Sequence, residues 1–526
     1  MKVNKLFLSA ALILGLGFTG CSNDDDVPSG EKGNTNVSVT LKMSAGSQTK
    51  ALPNDYNYIG EWAGKDDFKT VTVYLVDGSS VTSKTLEVGA GKDYEMVNES
   101  GSIILVPRTT NAAIKTTAGS KKVYVLVNGT DKLVAALAKT PVAEFEDAYT
   151  KLPFKSENSG TMTTVSTSAD KLAVKNGTTD EKIVMTNVEP MTIDVLPNVT
   201  DTETLDGTAP KNRVRLNVER AVARVMVSTA ATTYIVPSAG GSPLGTISDI
   251  NWVLAQGENS LYIQRKADYA TPNFGFIPTD ATYAAEAGEK YDYSGLFENY
   301  VAANQFGGTP VATMADYATD PFGKVTAELN AQLSGKFILP TTHEYGAGAA
   351  SKYKKGNTAY VLIRAKFTPA AAAFADGLPY TAGADFFVGA NGKFYTTAAN
   401  AVDPAKGGVT GQSVAKYVKG KVLYYAWVNP DAVPAWYNSP VIRNNVYHIH
   451  ITGFKNLGTN WNPLYPENPD TTNPSNPDPK PSVPGVTEPE NPIVPTDPLT
   501  TSETWMSVDV KVLPWKLHSY SVAPGI

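Results

Sequence analysis

The feature that most constrains the fold lies near the C-terminus, where a strand pattern follows a segment rich in proline. Across residues 463–498, 12 of 36 residues are proline, a composition that favours an extended polyproline II tether without a core. At about 3.1 Å per residue, such a tether would reach on the order of 100 Å. Beyond it Met506, Val508, Val510 and Val512 alternate with polar residues. Since an isolated strand leaves its backbone unpaired, this segment must join a sheet, either in its own chain or in another copy.

Short strand patterns also recur through the body of the chain. Residues 37–43 alternate apolar and polar side chains, and residues 71–76 and 81–88 flank a turn typical of a hairpin. The stretch Thr130–Ala138 predicts a short helix with a threonine cap. A change of phase at residues 219–220 predicts a β-bulge. Short strands separated by turns predict an all-β protein built from β-sandwiches.

Composition narrows the classes of function. The chain has one cysteine and four histidines, which excludes a disulfide framework and a cysteine-based zinc cluster. The net charge is −6, and −5 of it lies in residues 463–498, so the remainder is close to neutral. A chain without a basic stripe has no electrostatic footprint for nucleic acid. The composition therefore points away from nucleic-acid binding and from most enzymes.

The first 21 residues are typical of a lipoprotein signal. Lys2 and Lys5 precede an apolar run of 13 residues at 6–18, too short to span a bilayer but suited to a signal-peptide core. Small residues stand before the single cysteine, so we expect peptidase cleavage between Gly20 and Cys21 and attachment of lipid to Cys21. The alternative is an ordinary secretory signal followed by an incidental buried cysteine. On the first interpretation the mature chain is exported and tethered by lipid.

Other candidate sites carry weaker signals. His448 and His450 lie two apart on a predicted strand and share a face, but without a third ligand a structural pair is favoured over a metal site. The glycine-rich residues 346–351 lack the ending of a phosphate loop. Tyrosines could stack on sugars, although cross-strand packing is their commoner role. No nucleophile elbow or carboxylate pair stands out, so we assign no catalytic residue, metal or cofactor.

Six segments of the chain carry a resemblance to a known family: Val123–Asn128, Val218–Val225, Gly356–Phe367, Phe387–Tyr395, Pro440–Ile451 and Val508–Leu517. In their order along the chain, they resemble segments of the fimbrillins of type V pili in Bacteroidales, the FimA/Mfa-type major fimbrial subunits. The resemblance runs from the lipid-attachment motif to the C-terminus. None of these segments is catalytic, and each alone is only a strand pattern. Their order makes the resemblance specific.

The resemblance implies two transthyretin-like β-sandwich domains, a proline-rich linker and a C-terminal donor strand. The expected divisions are a signal peptide at 1–20, a propeptide with the first strand at 21–50, an N-terminal sandwich at 51–235, a C-terminal sandwich at 236–462, the linker at 463–498 and the donor strand at 499–526. Both sandwiches would be built from the strands that the sequence pattern itself predicts.

Maturation by a trypsin-like protease is also implied, with removal of the lipidated N-terminus and its first strand. Carried over to this chain, cleavage falls between Lys50 and Ala51. Well-known family members are cut after arginine, whereas this site has lysine, which a trypsin-like pocket also accepts. The apolar residues of the displaced strand are Val37, Val39, Leu41 and Met43. Those of the donor strand, which fills the vacated groove of another subunit, are Met506, Val508, Val510, Val512 and Trp515.

The implied function is that of a structural stalk subunit of a cell-surface fimbria, not an enzyme, in support of adhesion or biofilm formation. Its partners would be other copies in a head-to-tail polymer, tip and anchor subunits, and outer-membrane lipid before maturation, with no nucleic acid and no cofactor. Two alternatives stay open. One is a monomeric surface lipoprotein that binds glycans or host ligands with its last strand docked on itself, and the other is a tip or anchor subunit. The expected location is the outer membrane, then the extracellular fimbrium.

Overall fold

The computed structural model describes residues 35–43, 59–78, 80–99, 102–152, 161–162, 166–238, 240–280, 283–301, 306–344, 350–428, 441–466, 476–499 and the backbone of 506–514. In this part of the chain strands dominate and the helices are short. The prediction of an all-β fold is confirmed.

The N-terminal half is built around one curled sheet. Its elements are β1 (Thr35–Met43), β2 (Thr70–Val76), β3 (Val81–Glu87), β4 (Tyr94–Glu99), β5 (Ser102–Pro107), β6 (Ile114–Thr116), β7 (Gly119–Val127), α1 (Asp131–Ala138), β8 (Tyr149–Lys151), β9 (Thr161–Met162), β10 (Ala173–Asn176), β11 (Asp180–Ile183), β12 (Met185–Asn187), β13 (Met191–Val195), α2 (Asp201–Leu205) and β14 (Arg213–Arg220). Ten of these strands follow the order β3-β2-β7-β12-β14-β1-β5-β4, with β13 beside β7 and β6 beside β1. Their inward side chains, including Val39, Val73, Val125 and Leu216, pack into one core.

The C-terminal half is a β-sandwich. Its elements are β15 (Ala223–Thr229), β16 (Tyr234–Pro237), β17 (Pro243–Ala255), β18 (Gly257–Glu258), β19 (Ser260–Tyr262), α3 (Tyr283–Lys290), β20 (Tyr291–Asp292), β21 (Tyr300–Val301), β22 (Thr309–Pro310), β23 (Ala312–Thr313), α4 (Pro321–Gln332), β24 (Lys336–Ile338), β25 (Tyr360–Pro369), β26 (Phe386–Gly389), β27 (Phe394–Tyr395), α5 (Ala398–Val402), β28 (Val414–Tyr417), β29 (Lys421–Trp427), β30 (Asn445–Phe454) and β31 (Met506–Pro514). One sheet has the order β23-β15-β30-β31 with β24 beside β15, and the other has the order β16-β17-β25-β29 with β22 beside β17. Val225 and Ile449 of the first sheet and Ile363 of the second share a core.

Two local predictions, the hairpin and the capped helix, are confirmed. β2 and β3 form the predicted antiparallel hairpin. Helix α1 begins after Thr130, whose side chain accepts a hydrogen bond from the backbone N–H of Leu133 at 3.3 Å. This cap satisfies one of the donors that a helix N-terminus leaves open.

The predicted β-bulge at residues 219–220 is wrong. β14 ends at Arg220 in the N-terminal sheet, and β15 begins three residues later in the C-terminal sheet. The apolar phase changes because the chain passes from one sheet to the other. Arg220 and Arg224, on either side of the crossing, are fully buried and pair with Asp66 and Glu181. The chain therefore leaves the N-terminal sheet at Arg220, about fifteen residues before the domain boundary expected at 235.

The proline-rich segment packs against the C-terminal sandwich over its described residues 476–499, which we call the strap. Asp478 is completely buried, and Ile493 is 1% exposed within an apolar cluster. The backbone N–H of Gly356 donates to the carbonyl of Pro495 at 2.8 Å. The expectation of a tether without a core is wrong here, because proline removes a donor but leaves carbonyls and neighbouring side chains free to make contacts.

Candidate functional site

The first described strand lies in the middle of the N-terminal sheet, between β14 and β5. β1 runs parallel to β14, with Leu41 opposite Leu216, and antiparallel to β5, with Leu41 opposite Leu105. The exposed fraction is 0% for Val37, Val39 and Leu41 and 3% for Met43. Burial of four such side chains stabilises the strand by roughly 6–12 kcal/mol, at about 1.5–3 kcal/mol each.

The position of β1 determines what its removal would leave behind. β14 and β5 would each lose a ladder partner along one edge, and an apolar groove would open between them. Two facing edges beside an apolar floor suit the addition of one extended strand. Such a groove would fit a strand of the same length and alternation as β1.

The hydroxyl group of Ser38 gives the groove a polar contact. Ser38 is completely buried although it lies on the opposite face from the apolar row. Its Oγ donates to the carbonyl of Thr204 at 2.8 Å and accepts from Nε of Arg213 at 3.1 Å. Removal of one partner from such a buried pair leaves the other unsatisfied, which costs about 1–3 kcal/mol.

A second hydroxyl group is held in the same way at the start of the strand. Oγ1 of Thr35 donates to the carbonyl of Leu196 at 2.6 Å. It also accepts from the N–H of Val199 at 3.1 Å and from Nδ2 of Asn212 at 3.2 Å. We call the groups that hold these two hydroxyls the polar socket; they belong to Leu196, Val199, Thr204, Asn212 and Arg213. The socket recognises polar atoms at fixed positions along β1.

Several predicted site residues lie outside the described part of the chain. They are Gly20, Cys21, Lys50, Ala51 and Trp515. The Lys50–Ala51 bond nevertheless falls, by sequence, between β1 and the residues that resume at 59.

None of the helices in the described part of the chain has the length and apolar character that a membrane span requires.

The last strand pairs within its own chain. β31 runs antiparallel to β30, with Val510 opposite Ile449 and Val512 opposite Tyr447. The predicted donor residues Met506 and Val508 also belong to it. β31 ends its sheet, so it has one ladder partner in the described structure, whereas β1 has strands on both sides. The sequence left docking in the same chain or in another copy open, and this structure has the former.

The strap is anchored by a charged cluster that the sequence interpretation missed. Arg364 lies in the middle of β25 and is fully buried, and its Nη2 donates to Asp478 Oδ2 at 2.6 Å. Lys421, which begins β29, donates to the other oxygen of the same carboxylate at 2.9 Å. A cation that directly follows four apolar residues of a buried strand requires a buried partner. Arg364 was therefore the available sign that an acidic residue from elsewhere packs here.

The two histidines form a structural cluster. His448 and His450 share one face of β30, as expected, and Oγ of Ser228 lies 2.8 Å from a ring nitrogen of each. The ring of Tyr317 stacks on His450 with centroids 4.0 Å apart. Burial, reinforced by His450, lowers the pKa of His448 to about 3. Among the described residues no group of three His, Cys, Asp or Glu side chains is placed to hold a metal ion.

A cavity of about 810 Å³ lies between the two halves. Nζ of Lys336 lies 4.0 Å from the ring centroid of Trp252 and pairs with Glu298. Burial lowers the pKa of Lys175 to about 8, and its Nζ donates to the carbonyl of Gly335 at 2.5 Å. These polar groups already serve contacts within the fold, so they assign no ligand to the cavity.

Comparisons with known proteins indicate the family of the chain. Residues 415–521, which include β30 and β31, match the family described as major fimbrial subunit protein type IV, fimbrillin, C-terminal. The chain is 33% identical over 542 residues to the minor fimbrium subunit Mfa1 of Porphyromonas gingivalis, with 99% of this chain and 100% of that protein covered. A crystal structure of a fimbrilin from the same species has 15% identity and a TM-score of 0.40, over 93% of this chain and 99% of that one. The tip fimbrial protein Mfa3, solved with a C-terminal truncation, has 10% identity and a TM-score of 0.31, over 80% and 96%.

Proposed function

Because the chain belongs to the fimbrillin family of fimbrial subunits, we propose that it is a structural stalk subunit of a cell-surface fimbria, without a catalytic role. It is exported as a lipoprotein anchored at Cys21, cut between Lys50 and Ala51, and polymerised by exchange of its last strand. Its partners are further copies of itself together with tip and anchor subunits. The observation that carries the proposal is the central position of β1, whose apolar row is buried.

Cleavage between Lys50 and Ala51 would make β1 detachable. The bond lies beyond Met43, so after cleavage noncovalent contacts hold β1 in the sheet: the ladder hydrogen bonds, the polar socket and apolar packing. Before cleavage β1 fills the groove, and an uncut precursor cannot accept a strand from another copy. The order of events is therefore export, cleavage, release of β1 and assembly.

Movement of the last strand from the sheet edge to the groove also favours exchange energetically. In its own chain β31 pairs with β30 at a sheet edge, whereas a strand in the groove pairs with both β14 and β5. Exchange thus adds a second ladder of hydrogen bonds while the apolar row remains available for burial. Because the donor strand and the groove lie on different halves of the chain, the contact is head-to-tail and propagates without closing.

The pairing of β31 with β30 is also the observation that favours the second candidate function. A monomeric surface lipoprotein that binds glycans would keep its last strand on its own sandwich, as this structure has it. A tip or anchor subunit would use either the groove or the donor strand, but not both. Assembly of purified protein separates these functions.

The test is limited trypsin treatment of the purified precursor, followed by mass spectrometry and by electrophoresis of unboiled samples in SDS. We expect a cut after Lys50 and a ladder of SDS-resistant oligomers. Deletion of residues 499–526 should abolish the ladder, and Lys50→Ala should prevent both the cut and assembly. Cleavage at Lys50 that yields monomers alone would contradict a stalk function and support the monomeric lipoprotein.

A further inference from the structure

The C-terminal segment repeats the sequence of β1 in register. Aligned without gaps, Thr35–Met43 (TNVSVTLKM) and Thr504–Val512 (TWMSVDVKV) share four of nine residues and the same apolar alternation. The identical pairs are Thr35 and Thr504, Ser38 and Ser507, Val39 and Val508, and Lys42 and Lys511. Two of these four pairs are the hydroxyl residues that the polar socket holds in β1.

We propose that the strand from a second copy enters the groove in one register, with Ser507 at the position of Ser38 and Thr504 at that of Thr35. This inference rests on the proposed function and specifies how the second copy is recognised. Ser507 then donates to the carbonyl of Thr204 and accepts from Arg213, as Ser38 does now. The incoming strand runs parallel to β14, in the direction of the strand that it replaces.

Apolar alternation alone would not fix this register. A strand with period two keeps its apolar row inside after a shift of two residues, so shifted arrangements bury comparable apolar surface. The polar socket distinguishes them. A shift of two in one direction brings Trp505 to the completely buried position of Ser38, and a shift in the other brings Asp509 there, beside the carbonyl of Thr204.

The second hydroxyl strengthens the discrimination. In the proposed register Thr504 meets the N–H of Val199, Nδ2 of Asn212 and the carbonyl of Leu196, which now hold Thr35. A shift that places Met506 there leaves these buried polar groups without the hydroxyl. One lost buried hydrogen bond corresponds to about a 5- to 150-fold loss in an equilibrium constant. In the opposite shift Ser502 takes the position of Thr35 and keeps a hydroxyl, so that register is opposed by Trp505 at the position of Ser38.

Disulfide trapping tests the register directly, because the only native cysteine lies in the segment removed by cleavage. Thr40 is opposite Arg215 and Lys42 is opposite Asn217. In the proposed register Asp509 and Lys511 take these two positions. Chains that carry Asp509→Cys with Arg215→Cys, or Lys511→Cys with Asn217→Cys, should therefore cross-link between copies after trypsin treatment and oxidation.

The mismatched pairs are the matched controls. Asp509→Cys with Asn217→Cys reports a donor strand shifted by two residues in one direction. Lys511→Cys with Arg215→Cys reports a shift of two residues in the other direction. Strong cross-linking of either mismatched pair, with the matched pairs unreactive, would overturn the register while leaving strand exchange in place. Absence of oligomers for the chain without new cysteines would instead overturn the proposed function.

A substitution in the donor strand tests the polar socket itself. Ser507→Ala should lower the equilibrium constant for binding of the donor strand by about 5- to 150-fold, because the Thr204 carbonyl and the Arg213 guanidinium lose their partner in the groove. Asp509→Ala is the control, since its counterpart Thr40 is only half-buried, and its equilibrium constant should match that of the native chain. Equal constants for Ser507→Ala and Asp509→Ala would show that the socket does not contribute to recognition of the incoming strand.

Discussion

The carboxylate of Asp478 accepts a hydrogen bond from Arg364 at 2.6 Å across 114 residues of sequence, and both side chains are completely buried. Burial by itself would raise the pKa of Asp478, but Arg364 and Lys421 outweigh it and hold the pKa below its ordinary value. The pair joins the strap to the centre of β25. The C-terminal sandwich therefore includes a segment that lies after its last core strand, β30.

Removal of this carboxylate should destabilise the C-terminal sandwich. Asp478→Ala leaves Arg364 and Lys421 buried without a counter-charge, which we expect to lower the free energy of unfolding by about 3–5 kcal/mol. Urea unfolding followed by tryptophan fluorescence measures the change. The control is Glu490→Ala in the same segment, where the side chain is exposed and the expected change is below about 0.5 kcal/mol. Similar values for the two variants would contradict an anchoring role for Asp478.

Truncation of the buried row of β1 should destabilise the uncut precursor. Leu41→Ala removes a completely buried side chain, and a loss of about 2–5 kcal/mol is expected. Thr40→Ala, on the adjacent and half-buried position, is the control with a smaller effect. Calorimetry of both precursors gives the comparison. After trypsin cleavage the Leu41 variant should also release β1 faster and assemble with a shorter lag, and an unchanged lag would argue against release as the slow step.

A charge on the apolar row of the last strand should block assembly and spare the monomer. In a second copy, Val510→Asp would place a carboxylate on the floor of the groove. In its own chain the same residue belongs to an edge strand. We expect no SDS-resistant oligomers and a circular dichroism spectrum and melting temperature close to those of the native monomer. If the Val510→Asp monomer unfolds, β31 is a permanent part of its own sandwich and not a detachable strand.

The buried histidines predict a dependence of stability on pH. The pKa of His448 falls from its ordinary value of 6.5 to about 3 because it is buried. Since the folded pKa is below the unfolded one, the unfolded chain binds the proton more readily, and stability is lost as pH decreases below about 6.5. Between pH 7 and pH 5 this group should lower the free energy of unfolding by about 1–2 kcal/mol. Urea titrations of the native chain and of His448→Phe at both pH values measure it, and an identical pH dependence in the variant would contradict the assignment.

Local patterns predicted the elements that depend on neighbours in sequence. The alternation of Val37, Val39 and Leu41 predicted a strand, and Thr130 predicted the cap of α1. Contacts between residues distant in sequence produce no periodic pattern, so they could not be predicted. Asp478 stands among prolines whose composition alone favours an extended tether, and its partner is 114 residues away. The polar socket was hidden for the same reason, since its members come from the loops around helix α2, from α2 itself and from the start of β14.

In the proposed filament, the strap would also determine the response to tension. Only six residues separate Leu499, where the strap ends, from Met506, where the last strand begins, and a fully extended chain of that length spans about 20–25 Å. A free proline-rich segment would instead supply slack on the order of 100 Å. Force applied along the filament would pass from the exchanged strand through the six connecting residues into the strap. From Asp478 it would pass into the interior of β25. Each joint would act as a short, stiff link whose mechanical strength depends on a buried ion pair.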